Sequence, residues 1–167
     1  MMSRSVFVSL LLLVSLLFAG CSQQESPKTA AAPAAKRELS VEAIASQAKG
    51  FTVGAMMSAN TVYVFFDAQC PHCGHLWEAS VPLQKKVKFV WIPVGWINAT
   101  STTQGAALLT AANPAALMTE HETSLLAKQG GIGASASVTE EVKKAVAANT
   151  ELFNNLGLEG VPFTIVK

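Results

Sequence analysis

Two apolar runs restrict the fold of this chain more than any other feature of its sequence. The runs TVYVFFD, from Thr61 to Asp67, and VKFVWIPV, from Val87 to Val94, are rich in β-branched and aromatic residues. Because their apolar residues are nearly continuous, both are typical of strands buried on two faces. The segment between them, Pro71 to about Leu83, begins with a proline, which suits the first turn of a helix. This strand–helix–strand order predicts parallel pairing and an α/β fold.

Weaker patterns predict the other elements. Ser40 can cap a short helix, and capping-box patterns start at Ser101, with Gln104, and at Ser137, with Glu140. Asn113 is followed by a proline, as at a helix start. The further predicted elements are helices at 41–48, 102–112, 114–128 and 139–156 and strands at 51–54 and 163–167.

The N-terminal region does not have the pattern of a folded domain. Residues 1–20 have a short basic start and an apolar run too short to span a membrane, which indicates a signal peptide. The small residues before Cys21 resemble a bacterial lipobox, which implies that Cys21 is lipidated and anchors the protein to a membrane. Residues 22–37 contain no aliphatic side chain larger than alanine, so we expect 21–37 to be a lipidated, flexible tether. We assign 38–167 to one folded domain.

The charge pattern excludes one broad class of partner. The formal net charge is +1, and the sequence contains no basic cluster. Since nucleic-acid binding requires a concentrated basic surface, we expect no nucleic-acid partner.

The motif Cys70-Pro71-His72-Cys73 carries the chemistry. We expect Cys70 at the junction of strand and helix, where free backbone N–H groups and the helix dipole stabilise a thiolate. His72 would act in the same direction, while Cys73 lies one turn further on the buried face. This asymmetry predicts a redox dithiol in which Cys70 is the nucleophile and Cys73 resolves the mixed disulfide.

Other uses of the two thiols are less consistent with the sequence. A disulfide that closes so short a loop stabilises little. A c-type haem site requires histidine directly after the second cysteine, and Gly74 stands there. A closed zinc site requires four ligands, which this short segment would have to crowd together. Binding of a soft metal such as Cu(I) through both thiols, and a non-catalytic binding module, stay open as alternatives.

Several polar side chains near the motif have a structural and a functional interpretation. Asp67 ends the first strand and is alternatively a proton acceptor. The remaining candidates are expected on a solvated surface; they are His75, Glu78, Glu120, His121 and Glu122.

The segment YVFFDAQCPHCGHLWEA resembles the active-site region of thioredoxin-fold thiol:disulfide interchange proteins, in particular the DsbC/DsbG catalytic domain. Its CPHC motif is of the DsbA type. The similarity continues through VKFVWIPV, the helical section and LFNNLGLEGVPF. It implies a thioredoxin-like fold with an inserted helical section, in which Val161 and Pro162 form a cis-proline loop that holds the substrate chain beside the dithiol.

Two departures from that family affect the expectations. The segment between the tether and Thr61 is too short for the N-terminal dimerisation domain of DsbC and DsbG, so we expect a monomer and place the isomerase role in doubt. The C-terminal edge strand and helix that follow the cis-proline strand are missing, so the domain is expected to be truncated, with strand 163–167 as an open edge.

The resemblance implies a periplasmic thiol:disulfide oxidoreductase. Its expected partners are protein thiols and disulfides and an unidentified redox partner. No diffusible cofactor and no metal are implied, because the two cysteines themselves cycle. Ser22 after the lipidated cysteine implies location at the outer membrane. The direction of electron flow stays open.

Overall fold

Four strands form one mixed sheet in the computed structural model, which describes residues 40–133 and 138–167. The strands are β1 (Phe51–Gly54), β2 (Thr61–Asp67), β3 (Lys88–Val94) and β4 (Phe163–Val166), in the order β1-β3-β2-β4. β2 and β3 pair in parallel, with Thr61 opposite Lys88, whereas β1 and β4 are antiparallel to their neighbours. The predicted α/β fold with a parallel central pair is confirmed.

Five α-helices accompany the sheet in the described residues. Three of them are capped by a side-chain oxygen at their start, and Ser40 and Asn113 cap α1 and α4 as predicted. The helices are α1 (Val41–Gln47), α2 (Pro71–Ser80), α3 (Ala99–Thr110), α4 (Pro114–Leu126) and α5 (Glu140–Asn155).

Two predicted helix boundaries were wrong. The capping box of α3 joins Asn98 to Ser101, so the helix begins earlier than predicted and Ser101 is its third residue. Helix α2 ends at Ser80, and a 3-10 helix, Val81–Lys85, follows because Pro82 cannot continue the α-helical hydrogen bonds. The cap predicted at Ser137, the signal peptide, Cys21 and the tether lie outside the described residues.

The core lies on both faces of the central strands. On one face Phe66 packs edge-to-face against Trp91, and Trp91 packs against Trp77 of α2. On the other face Phe65 packs against Phe153 of α5. Successive residues of β2 therefore enter different clusters, which explains why its sequence is continuously apolar.

Strand β4 is less enclosed. In the described part of the chain it pairs with β2 alone, and so occupies the sheet edge, as expected. Thr164 and Val166 are exposed on one of its faces.

Asp67 joins the ends of the two parallel strands. Its side chain is fully buried, and one carboxylate oxygen accepts hydrogen bonds from the backbone N–H groups of Trp96 (2.7 Å) and Ile97 (2.8 Å). The other oxygen accepts from the N–H of Gln69 (2.8 Å). The carboxylate thus orients both loops that leave this edge of the sheet, in keeping with the structural interpretation of this residue.

Replacement of Asp67 by alanine is predicted to destabilise the domain by about 2–4 kcal/mol, because buried backbone donors lose their acceptor. The free energy of unfolding can be measured by urea denaturation. The matched control is Glu78→Ala on the exposed face of α2, expected to lie within about 0.5 kcal/mol of the wild type. Equal stabilities of the two variants would contradict the structural role of Asp67.

Candidate active site

Cys70 is the N-cap of α2. The chain arrives from β2 through a turn in which the Cys70 N–H bonds to the Asp67 carbonyl (3.0 Å). Pro71 then occupies the first helical turn, and the Cys70 carbonyl accepts from the N–H groups of Cys73 and Gly74. The Cys70 side chain makes no capping hydrogen bond. The sulfur is therefore held at the helix start, where thiolate charge is favoured.

The pKa values of the two thiols are shifted in opposite directions. The pKa of Cys70 is lowered to about 6, chiefly because the Cys73 thiol donates a hydrogen bond to its sulfur. Burial opposes this shift, while the backbone N–H groups of Cys73 and His72 support it and the charge of His72 adds least. The pKa of Cys73 is raised, because ionisation would remove that hydrogen bond and because the side chain is fully buried. Both residues are free thiols in the structure.

The Cys70 sulfur also faces the loop before β4. It lies 3.5 Å from the carbonyl oxygen of Val161, to which the thiol donates when it carries its proton. The Val161–Pro162 peptide bond is cis. Residues far apart in sequence, Cys70, Val161 and Pro162, are therefore brought together as the resemblance implied.

The exposed residues of α2 match their predicted positions. His72 is exposed, and His75 and Glu78 form a weak contact of 3.6 Å in solvent. His72 contributes less to the acidity of Cys70 than the sequence suggested, because it is solvated and the Cys73 thiol is in direct contact.

The surface prediction for His121 was wrong. This residue of α4 is fully buried, and its Nδ1 accepts a hydrogen bond from the Ile132 N–H (3.1 Å). Its Nε2 therefore carries the proton and donates to the Ala68 carbonyl (2.6 Å) in the turn before Cys70. Burial lowers the pKa of His121, which favours this neutral form. The imidazole ties the active-site turn to α4 and to the loop after it.

The loop after α4 is also held by a buried side-chain amide. Gln104 of α3 donates to the carbonyls of Gly130 and Ile132, each at 2.8 Å. Gly131 has φ +82° and lies against the His121 ring, so that a side chain at this position would clash. The sequence predicts for Gln104 only a capping-box role with Ser101, so its buried contacts with this loop are a finding of the structure.

Glu122 is the second wrongly placed residue. It is 1% exposed, and neither carboxyl oxygen has a hydrogen-bond partner among the described residues. The carboxyl lies against α2 at Gly74, where an added Cβ would be 2.7 Å from Oε2. Burial, followed by the negative charges of Cys70 and Glu78, raises the pKa of Glu122 to about 8.

A signal for these two buried residues was present in the sequence. Met118 and Leu125 are apolar and buried, and positions 121 and 122 lie between them at helical spacing. The polar identity of His121 and Glu122 concealed this periodicity.

Two further features bear on the alternatives. In the described ranges, no three His, Cys, Asp or Glu side chains lie together in a way that could hold a metal ion. Within the same ranges, no helix has the length and apolarity needed to cross a membrane.

Comparison with known proteins agrees with this geometry. The chain is 32% identical over 111 residues to the thiol:disulfide interchange protein DsbG of Pseudomonas aeruginosa. The aligned segment covers 65% of this chain and 43% of that relative. It is also 32% identical over 106 residues to DsbG of Escherichia coli K12, covering 60% of this chain and 41% of the relative.

The chain is thus similar in sequence to DsbG proteins, and this similarity supports a DsbC/DsbG-like thioredoxin fold. No protein-family model matches it. Proteus mirabilis ScsC in a transitional conformation superposes with a TM-score of 0.60 at 21% identity, over 80% of this chain and 73% of that one, which supports the fold. The chain spans less than half the length of the two DsbG relatives.

The acidity of Cys70 is predicted to depend more on Cys73 than on His72. Cys73→Ala should raise the Cys70 pKa above about 6, because it removes the largest stabilising contact of the thiolate. His72→Ala should raise it less. Thiolate absorbance near 240 nm against pH measures both shifts. Cys73→Ser, which keeps a donor, is the matched control, and a larger shift in His72→Ala would contradict the assignment.

Proposed function

We propose that this protein is a thiol:disulfide oxidoreductase that exchanges disulfides with protein substrates through Cys70 and Cys73. The observation that carries the proposal is the pairing of a low-pKa thiol at a helix start with a buried thiol that donates to it. The sequence similarity to the thiol:disulfide interchange protein DsbG supports the same chemistry.

The roles of the two cysteines follow from their acidities. Thiolate is the attacking species, and near neutral pH Cys70 is largely ionised while Cys73 keeps its proton. Cys70 therefore forms the mixed disulfide, and Cys73 attacks the Cys70 sulfur to release the substrate. Pro71 and His72 tune the site by starting the helix and by adding a small favourable charge interaction.

Val161 and Pro162 are proposed to bind the substrate chain. The Val161 carbonyl is within 3.5 Å of the Cys70 sulfur, so a polypeptide attached to that sulfur would run beside this loop. The direction of exchange stays open. A low Cys70 pKa stabilises the reduced form and so favours oxidation of substrates.

Binding of Cu(I) is the less favoured alternative. Metal coordination by cysteine requires thiolates, and the hydrogen bond to Cys70, burial and the neighbouring negative charges raise the pKa of Cys73, so a metal would have to displace its proton. No observation of the described residues favours the metal over disulfide exchange.

Disulfide exchange can be tested with insulin as a disulfide-bonded protein probe, in a Cys21→Ser background. Cys73→Ala is expected to accumulate a covalent adduct with insulin, visible on non-reducing gels, because the resolving thiol is absent. Cys70→Ala is the control and should form at least tenfold less adduct, since its remaining thiol is buried and weakly acidic. Absence of any adduct in Cys73→Ala, or equal amounts in both variants, would refute the proposed roles.

We further propose that the protein acts at the periplasmic face of the outer membrane, attached through a lipid on Cys21. The lipobox-like sequence before Cys21 and the tether-like composition of 22–37 support this placement.

The anchor is tested by labelling growing cells with radioactive palmitate. The full-length protein should be labelled and should sediment with membranes, whereas Cys21→Ser should be unlabelled. Cys70→Ser is the control for a different cysteine and should keep its label. Unlabelled wild-type protein in the soluble periplasmic fraction would contradict the anchor.

A further inference from the structure

Two segments meet at the end of the sheet opposite the dithiol. There the turn 54–60, between β1 and β2, lies against residues 81–88, which form the 3-10 helix and lead into β3. The Ser58 hydroxyl donates to the Lys86 carbonyl (2.8 Å) and so joins the two segments. We call 54–60 and 81–88 together the basal surface.

Exposed apolar side chains are concentrated on the basal surface. Seven large apolar side chains are exposed in the described ranges, and four of them belong to this surface; they are Met56, Met57, Val81 and Leu83. Met57 is 97% exposed, so it adds almost nothing to the core. A single exposed apolar side chain is ordinary, whereas several on two contacting segments indicate a surface that meets a partner.

All charged side chains of the basal surface are positive. Lys85 and Lys86 are exposed and Lys88 is half-buried, and neither segment contains an acidic residue. Beside them, at the start of α1, the side chains of Glu42 and Lys167 approach to 3.9 Å and offset each other. Three lysines are too few for a nucleic-acid surface. Together with exposed apolar side chains they match an anionic phospholipid surface, where apolar groups enter the headgroup region and lysines approach phosphates.

The point at which the chain enters the domain lies at the same edge. The Lys167 backbone N–H donates to the carbonyl of Thr61, the first residue of β2 (2.9 Å), and the Lys167 side chain reaches Glu42 in the first turn of α1. The start of α1 is therefore at the basal edge. The 18 residues 22–39 span at most about 60 Å when fully extended. A lipid on Cys21 would thus keep the domain within that distance of a membrane.

We propose that the basal surface lies on an anionic phospholipid bilayer and turns the dithiol away from it. The proposal rests on the membrane location proposed above and adds to it the face that the domain presents to the membrane. Strand β2 runs from the basal edge to the active-site edge, and its seven residues separate the two by about 20 Å. In this orientation Cys70, which follows β2, faces away from the bilayer toward protein substrates.

The lipid and the basal surface have different roles in this arrangement. A lipid on Cys21 would limit the distance between the domain and the membrane, but it would not select the face turned to the bilayer. The lysines and the exposed methionines supply that selection. Because the attraction of lysines to phosphates is electrostatic, the orientation should require anionic lipid and weaken as the salt concentration rises.

The orientation is tested with the full-length lipidated protein in vesicles of phosphatidylethanolamine and phosphatidylglycerol. In a Cys70→Ser, Cys73→Ser background, the same fluorophore is attached to Met57→Cys or to Ile97→Cys. Ile97 is the matched position, because it is also apolar and exposed but lies at the active-site edge. Lipids that carry a nitroxide on the acyl chain should quench the fluorophore about fivefold or more strongly at position 57 than at position 97.

Charge variants test the contribution of the lysines. Lys85→Gln with Lys86→Gln should reduce the quenching at position 57 about fivefold, as should vesicles of phosphatidylcholine alone. Lys128→Gln with Lys144→Gln is the control, since it removes two exposed lysines outside the basal surface and should leave the quenching unchanged. The unfolding midpoint provides a fold control and should be the same in both variants, because all four side chains are exposed.

The outcomes separate the surface from the anchor. Equal quenching at positions 57 and 97, or no effect of the two basal lysines, in protein that floats with the vesicles would overturn the inference and leave the anchor intact. Shielding of position 57 in detergent that increases with protein concentration would place a second copy on the surface and also overturn it. Failure of the protein to float with phosphatidylcholine vesicles would refute the anchor. In that case anionic vesicles must still quench position 57 more than position 97, and the inference is wrong if they do not.

Discussion

The buried carboxylate of Asp67 determines the arrangement of the site. It ends β2 and accepts backbone hydrogen bonds from the loop that leaves β3, so the two parallel strands finish at a common level. Its other oxygen fixes Gln69 in the turn that leads to Cys70. The position of the sulfur at the start of α2 thus depends on a contact between two strands. Local sequence supplies the thiol, and the sheet supplies its orientation.

The second constraint is that three acidic groups share one buried region. Cys70, Cys73 and Glu122 repel each other when more than one of them is charged, and burial penalises every charge. Cys70 is the group that ionises first, because its sulfur accepts the hydrogen bond of Cys73 and lies at the helix start. The other two groups then retain protons near neutral pH. The low pKa of Cys70 and the raised pKa of Cys73 are therefore two consequences of the same electrostatic coupling.

Sequence patterns were sufficient where a residue's role depends on its neighbours along the chain. The apolar runs predicted β2 and β3, and the proline after Cys70 predicted the start of α2. They failed where a polar residue is satisfied by a distant segment. His121 looked like a surface residue beside two glutamates, yet its partners are Ala68 and Ile132. The cap of α3 was misplaced because Ser101 and Asn98 both suit a capping box, and only the path of the chain after β3 selects Asn98.

The helical section between β3 and β4 has a larger role than its position in the chain suggests. A CPHC motif at a helix start accounts for an acidic thiol without any contribution from this section. Helices α3 and α4 complete the surroundings of the two thiols. Gln104 and His121 hold the loop and the turn around Cys70, while Glu122 places a carboxyl against the next turn of α2. Gly74 is the point at which the two parts meet, because a side chain there would occupy the space of the Glu122 carboxyl. The identity of this glycine is thus linked to that of a residue 48 positions away, a relation that follows from the packing of α2 on α4.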